Sequence, residues 1–336
     1  MQNIIGHNFQ RKQLHNSVLK DRLSHAYIFS GPEGIGKKLV SIEFAKFINC
    51  KELKTADSSD LNEFNCSCSS CKKILNNTHP DVHIFNFENS KIIKIDQVRD
   101  NIEKLIYLAP YESNYKVFII NDAERMNFNS QNAFLKSLEE PPKNSIIILV
   151  TSLIDLIIPT ILSRCQHINF MGLKNSDVES YLAENSKHDP DQINLISRIS
   201  KGSIGKAKKI DSDFLDIRKD FIKEITNIDK TKPNSLFNLS EKIHNQTKSN
   251  NLENINQFFD IITLLISDCI NVKIGRRENK IINMDLLEEI KKFSANKNTN
   301  QLIEIFNFVE DTHINILRHN ANKQLSFDNL LLKMAE

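Results

Sequence analysis

His25-Ala26-Tyr27-Ile28-Phe29-Ser30-Gly31-Pro32-Glu33-Gly34-Ile35-Gly36-Lys37-Lys38 decides the fold of this chain. Ala26 to Phe29 is an apolar run of strand length that stops at a glycine-rich turn. Behind the turn, Lys37 to Ile48 repeats apolar residues at Val40, Phe44 and Phe47 or Ile48, one face of a helix. Strand, glycine-rich turn and helix in that order are the setting of a phosphate-binding loop. The glycines let backbone N–H groups face a phosphate, the helix N-terminus adds positive potential, and the lysine reaches the terminal phosphates. Gly31, Gly34, Gly36 and Lys37 are therefore candidate nucleotide-binding residues.

Working outward, Val117 to Ile120 and Ile146 to Val150 read as further buried strands, with Val82 to Phe85 a weaker one. Asp96 to Leu108 carries Val98, Ile102, Leu105 and Ile106 on one helical face, with Asp96 placed to cap it. Strands separated by helices predict a parallel sheet covered on both faces. After Phe170 the strand signals stop. Helical segments at Asn175 to Glu184 and Gln192 to Ser200 end at Gly202 and Gly205. From Asp213 onward the pattern is helix upon helix: Phe221 to Ile228, Leu236 to His244, Ile255 to Val272, Leu286 to Phe293 and Leu302 to Leu317. The Lys- and Asn-rich pieces Thr247 to Asn251 and Ala295 to Asn300 read as exposed connections. The expected fold is α/β: a P-loop parallel sheet with helices on both faces over residues 1–170, a small helical lid over 171–212, and an all-α domain over 213–336.

A length of 336 residues suits two or three domains, and a formal net charge of +2 gives no footprint of a chain built to grip nucleic-acid backbones. The opening MQNIIGHNFQRKQ has no apolar run behind its basic residues, and no stretch reaches the roughly 18 apolar residues of a membrane span. A cytoplasmic protein without membrane partners is expected. Its six cysteines are then thiols or metal ligands and not disulfides.

The phosphate loop is altered where a working one binds magnesium. The position after the loop lysine calls for Ser or Thr, whose hydroxyl ligates the ion; here it is Lys38. A second ammonium supplies no oxygen and repels the metal. The apolar strand Val117 to Ile120 ends not in two acids but in Asn121-Asp122-Ala123-Glu124. In one register Asn121 takes the metal-facing place and Asp122 the place of a longer Glu. In the other Asp122 takes the metal place and Ala123 stands where the base belongs. Either register lacks part of the hydrolytic apparatus. Thr151, which ends the Ile146 to Val150 run, is assigned to the same degenerate nucleotide set. Productive binding of ATP and magnesium is not expected.

These residues, with His25 to Phe29, Thr78-His79-Pro80-Asp81, Ile95 to Arg99, Asn132 to Pro142 (NAFLKSLEEPP) and Ile161-Leu162-Ser163-Arg164-Cys165, resemble the delta prime family of bacterial DNA polymerase III clamp-loader subunits. The likeness runs in order over residues 1–170 and continues with Gly202 to Ala207. It implies a subunit of the AAA+ class in a five-membered ring that loads the DNA polymerase sliding clamp onto primed DNA. Its implied partners are the gamma/tau and delta subunits, the clamp and, through the complex, primer-template DNA. Arg164 matches an arginine that enters the ATP site of the neighbouring subunit, and Lys206 matches a basic sensor of the phosphate. The helical C-terminal domain matches the collar that joins the ring. The losses at Lys38 and Asn121 favour the non-hydrolysing member; the alternative is an ATP-hydrolysing gamma/tau-type subunit. A zinc-dependent nucleic-acid-binding module and a small-molecule kinase fit less of the chain.

Cys50, Cys66, Cys68 and Cys71 are close in sequence, and four thiolates satisfy tetrahedral zinc and close it to chemistry. The family commonly carries a four-cysteine zinc module here. Only one residue separates Cys66 from Cys68, which strains chelation by both, and His79 is a conceivable substitute ligand. A structural zinc is expected, with Cys165 and Cys269 as buried thiols.

Overall fold

The computed structural model describes residues 4–52, 66–86, 92–98, 102, 104–228, 233–247, 252–277, 280–319 and 321–335. The chain divides into two compact units, Met1–His188 with Ser200–Lys208, and Asp189–Ile199 with Lys209–Glu336.

Five strands form the sheet of the first unit: β1 (Ala26–Ser30), β2 (Val82–Phe85), β3 (Lys116–Ile120), β4 (Ser145–Thr151) and β5 (Gln166–Asn169). They lie in the order β2-β3-β4-β1-β5, and every pairing is parallel. Side chains alternate between two cores. Tyr27, Phe29, Val117, Ile119, Ile146 and Ile148 pack with Val40, Phe44 and Ile48 of the helix Lys37–Ile48. Ala26, Ile28, Phe118, Ile120, Ile147 and Leu149 pack on the other face with Phe134 and Leu138 of the helix Phe128–Glu139. Continuous apolar runs are what strands buried on both faces require.

The four strands expected from the sequence are present. β5 was not foreseen, because in Gln166-His167-Ile168-Asn169 only Ile168 is buried; an edge strand of this kind carries no apolar run. The helix expected over Asp96 to Leu108 is present as Ile95–Val98 and Lys104–Ile106, residues 99–101 and 103 lying outside the described residues. Asp96 is inside the first of these and does not cap it.

The second unit is helical: Pro190–Ile199, Ser212–Thr226, Pro233–Thr247, Leu252–Lys273, Leu287–Ala295, Thr299–His319 and Lys323–Ala335. Within Leu252–Lys273, the stretch Ile255–Lys273 is long and apolar enough to cross a membrane. Its Ile255, Phe259, Ile262, Leu265, Ile266 and Cys269 are instead buried in the core, with Phe327, Leu330, Leu331 and Met334 of the last helix. That last helix was passed over in the sequence reading, although those four residues recur at helical spacing. A buried polar network ties the segment before Leu287. Asp268 accepts hydrogen bonds from the Ile282 and Asn283 N–H groups at 2.8 and 2.9 Å, while Arg218 bonds Asn283 and Asp285.

Two smaller expectations are corrected. Ala295 to Asn300 is not wholly exposed, since Lys297 is buried with its ammonium 4.9 Å from the centre of the Phe293 ring. Thr247 to Asn251 lies outside the described residues beyond Thr247. Cys269 is buried and Cys165 only partly so; burial pushes both thiols up to about 12.

Candidate functional site

The sheet order sets β4 between β1 and β3, and all three strands run the same way. The loop after β1, Ser152 after β4 and the Asn121–Glu124 turn after β3 therefore gather at one edge, where open α/β sheets bind ligands. Gly36 stands at the N-cap of the helix Lys37–Ile48 with φ 105°, a left-handed conformation that favours glycine. The Lys37 ammonium is turned into its own loop and donates to the carbonyls of Gly31 at 2.6 Å and Pro32 at 2.7 Å. Burial lowers Lys37 to about 8, against the opposing pull of Glu124, Glu33 and Asp122. Lys38 follows, half-buried, with no hydroxyl to offer a metal. The loop thus presents a lysine where a hydroxyl would ligate magnesium.

Beyond β3, Asp122 takes φ 53° and heads a short 3-10 turn, Ala123–Arg125. Burial raises its carboxyl, partly offset by Arg125, whose guanidinium is 3.4 Å away. Ala123 is fully buried in the core, so that position has nothing to offer the loop. Asn121 uses its N–H to extend the pairing with Phe85. Thr151 is buried, and its hydroxyl oxygen accepts from the Leu153 N–H at 3.2 Å. The acid that sequence reasoning did not single out is Glu124. Its Oε1 accepts from the Ser152 N–H at 3.2 Å and from the Ser152 hydroxyl. No motif position pointed to it; only the end of β4, brought alongside β3, gives it a partner.

The loop is also held from outside. Ser203 Oγ donates to the Glu33 carbonyl at 2.8 Å, and the Gly205 N–H donates to the Gly34 carbonyl at 2.8 Å. A Cβ on Gly205 would lie 2.7 Å from the Gly34 Cα, so the two glycines touch backbone to backbone. Lys206 comes next, its own N–H bound to Ser203 Oγ at 3.1 Å.

Arg164 lies just past the helix Pro159–Leu162 and is about one-third exposed. Its guanidinium donates to the Thr160 carbonyl at 2.8 Å and pairs with Glu139 at 2.8 Å. The Ser163-Arg164-Cys165 and Glu139-Glu140-Pro141-Pro142 stretches are thereby joined, and the side chain is presented at the surface.

The sulfurs of Cys50, Cys66, Cys68 and Cys71 all lie within 4.8 Å of one another. Cys50 follows the helix Lys37–Ile48, while Cys68 caps the helix Ser69–Leu75 and Cys71 is on its first turn. The single residue between Cys66 and Cys68 does not keep them apart, so the donor set fits a tetrahedral thiolate metal. Burial opposes ionisation of Cys68, but N–H groups of Cys71 and Lys51 and the adjoining thiols pull it down to about 6.

His79 is not among the donors. Its Nδ1 accepts from the Asp81 N–H at 3.0 Å, and its Nε2 is 3.1 Å from both Ser70 Oγ and Ser113 Oγ. The histidine thus clips the cysteine module to the sheet. Asp81, fully buried, accepts three backbone N–H bonds, from Tyr111, Glu112 and Ser113 at 2.6, 2.8 and 3.0 Å. Burial works to raise its carboxyl, but the three donors outweigh it and hold it below the usual range. Asp81→Asn is expected to cost about 2–3 kcal/mol in urea unfolding. The sign of the pH effect follows from the lowered value. Asp81 contributes fully above its unfolded pKa of about 3.9, and that contribution is lost as pH falls through the lower folded value. The Asn variant should lack this acid loss.

Two family models match the chain. The model described as DNA polymerase III, delta subunit, matches residues 6–174, and the one described as DNA polymerase III, delta subunit, C terminal, matches residues 212–336. DNA polymerase III subunit delta' of Bacillus subtilis is 29% identical over 333 residues, 97% of this chain and 95% of that protein. DNA polymerase III subunit tau of the same organism is 29% identical over 76% of this chain but only 45% of its own length. A crystal structure of a gamma subunit-related protein from Thermotoga maritima covers 92% of this chain and 100% of its own at a TM-score of 0.40 and 18% identity. Matched over its sheet-bearing half and again over its helical end, the chain belongs to the DNA polymerase III delta-subunit family.

Proposed function

We propose that this chain is a delta prime-type subunit of a bacterial DNA polymerase III clamp loader. It is a ring member that does not hydrolyse ATP and that lends Arg164 to the ATP site of a neighbour. The observation that carries this reading is the loop itself: a complete P-loop fold has Lys38 where the magnesium ligand belongs and a loop lysine bonded to its own carbonyls. Full-length similarity to a delta' subunit supports it, and similarity to tau over a shorter span names the kind of motor beside which it would work. Its partners are then gamma/tau and delta subunits, with the sliding clamp and primer-template DNA engaged by the whole complex in the cytoplasm. Residues 213–336 would serve as the collar, and 171–212 as the lid. A guanidinium is suited to the finger's task, being planar, permanently charged and able to grip phosphate oxygens with two donors.

The four cysteines would hold zinc as a structural cross-link, tying Cys50 to the helix that carries Cys71. Such an ion, held by four sulfurs, supplies cohesion and no reaction.

The test compares ATP turnover by the purified chain with turnover by a complex reconstituted from it and its gamma/tau and delta partners. The chain alone should show none above background, and the complex should need it. Brisk turnover by the isolated chain would overturn the reading in favour of a gamma/tau-type motor.

A further inference from the structure

Lys38 explains why magnesium is not held, but it does not explain why the loop lysine is satisfied without phosphate. The geometry around Glu124 bears on that. β4 separates β3 from β1, so a side chain that starts after β3 and is fastened to Ser152, after β4, reaches across the sheet edge toward the loop after β1. Ser152 fixes Oε1 through both its N–H and its hydroxyl, which leaves Oε2 as the free end of the carboxylate. That oxygen is buried and has no hydrogen-bond donor among the described residues. Of the ammonium's three hydrogens, two are given to the Gly31 and Pro32 carbonyls. One remains.

We propose that Glu124 is a tethered negative charge facing the Lys37 loop, so that the loop rejects nucleotide through an internal carboxylate and not only through the missing magnesium ligand. This rests on the reading of a silent ATP site and names the residue that keeps it so. Of the acids that act on Lys37, Glu124 acts most strongly, ahead of Glu33 and Asp122. Arg125 offsets Asp122 and Glu33 is exposed, so the charge that meets the loop from within is that of Glu124. A di- or triphosphate arriving without a metal meets like charge at close range, in a setting where water screens little. The clamp on Ser152 matters as much as the charge, since a mobile carboxylate would swing away and cost the incoming phosphate less.

The experiment is equilibrium binding of methylanthraniloyl-ADP, in magnesium-free buffer, to the full chain and its variants. Glu124→Gln keeps the shape and the Ser152 contact but removes the charge, and should bind at least about tenfold more tightly than wild type. Ser152→Ala removes the hydroxyl bond but keeps the N–H bond, so it loosens the carboxylate without altering the charge and should gain about threefold. It also provides a reading if Glu124→Gln melts early. The gain should vanish in the double variant Glu124→Gln/Lys37→Ala. The inference is overturned if both single variants, shown to be folded by circular dichroism, bind no better than wild type, or if the gain survives loss of Lys37. Wild-type chain that hydrolyses ATP unaided would sink the reading beneath it; a silent wild type with unimproved variants sinks this inference alone.

Discussion

Arg164→Ala is expected to leave this chain folded and, on the proposed role, to lower ATP turnover at the neighbouring site by roughly 10³–10⁵-fold, by analogy with arginine fingers in GTPases. Folding should survive because little depends on the side chain at home. It is about one-third exposed, and its partner Glu139 about half. Exposed pairs of this kind contribute about 0–1 kcal/mol. The same weakness serves the proposed role, since Glu139 can hold the guanidinium in place and release it at small cost. Arg164→Lys separates charge from shape. Lysine keeps the positive charge but loses the planar pair of donors, so turnover should stay well below that of wild type. The measurements are single-turnover hydrolysis in a reconstituted complex whose other subunits are wild type, and a thermal melt of the isolated variant. A variant complex as fast as wild type would show that Arg164 merely braces Glu139 and Thr160.

The second large effect concerns the sulfurs. Purified chain should carry one zinc ion, measured by inductively coupled plasma mass spectrometry, and Cys71→Ser should carry none. Cys71 is fully buried and sits in the first turn of the helix that Cys68 caps. Without the ion this segment has only seven residues of helix, Ser69–Leu75, to hold it together. Helices that short do not persist without tertiary support. The remaining supports include the Ser70 hydrogen bond to the Asn49 carbonyl at 2.9 Å, the His79 contact, the Lys73–Glu112 ion pair and the buried Ile74. Loss of a structural metal belongs to the short list of changes that cost more than about 4 kcal/mol. Strong chelators should reproduce the effect in wild type, with the melting temperature falling by about 8–16 °C for a unit of this size. His79→Ala, by contrast, should retain the metal, because His79 is committed to Ser70, Ser113 and Asp81.

Most of the sheet was legible because parallel strands buried on both faces must be continuously apolar, as Ile146 to Val150 is. β5 escaped because an edge strand needs only one inward residue. The phosphate loop was legible residue by residue, since glycine and lysine at those spacings serve few other ends. The same holds for the cysteines. What the sequence hid was juxtaposition. Glu124 gains its meaning from Ser152, a residue 28 positions away. His79, considered as a metal ligand on spacing alone, proved to be occupied by two serines that no motif links to it. Likewise Lys206 drew notice for its charge, while Ser203 and Gly205, the second with no side chain to notice, bond the loop.

That glycine pair has a historical consequence. Where two main chains meet as Gly34 and Gly205 do, with an added methyl on Gly205 falling 2.7 Å from the opposite Cα, neither codon can drift alone. No side chain can be placed at residue 205 by a single substitution, because the loop must first be rebuilt to admit its Cβ.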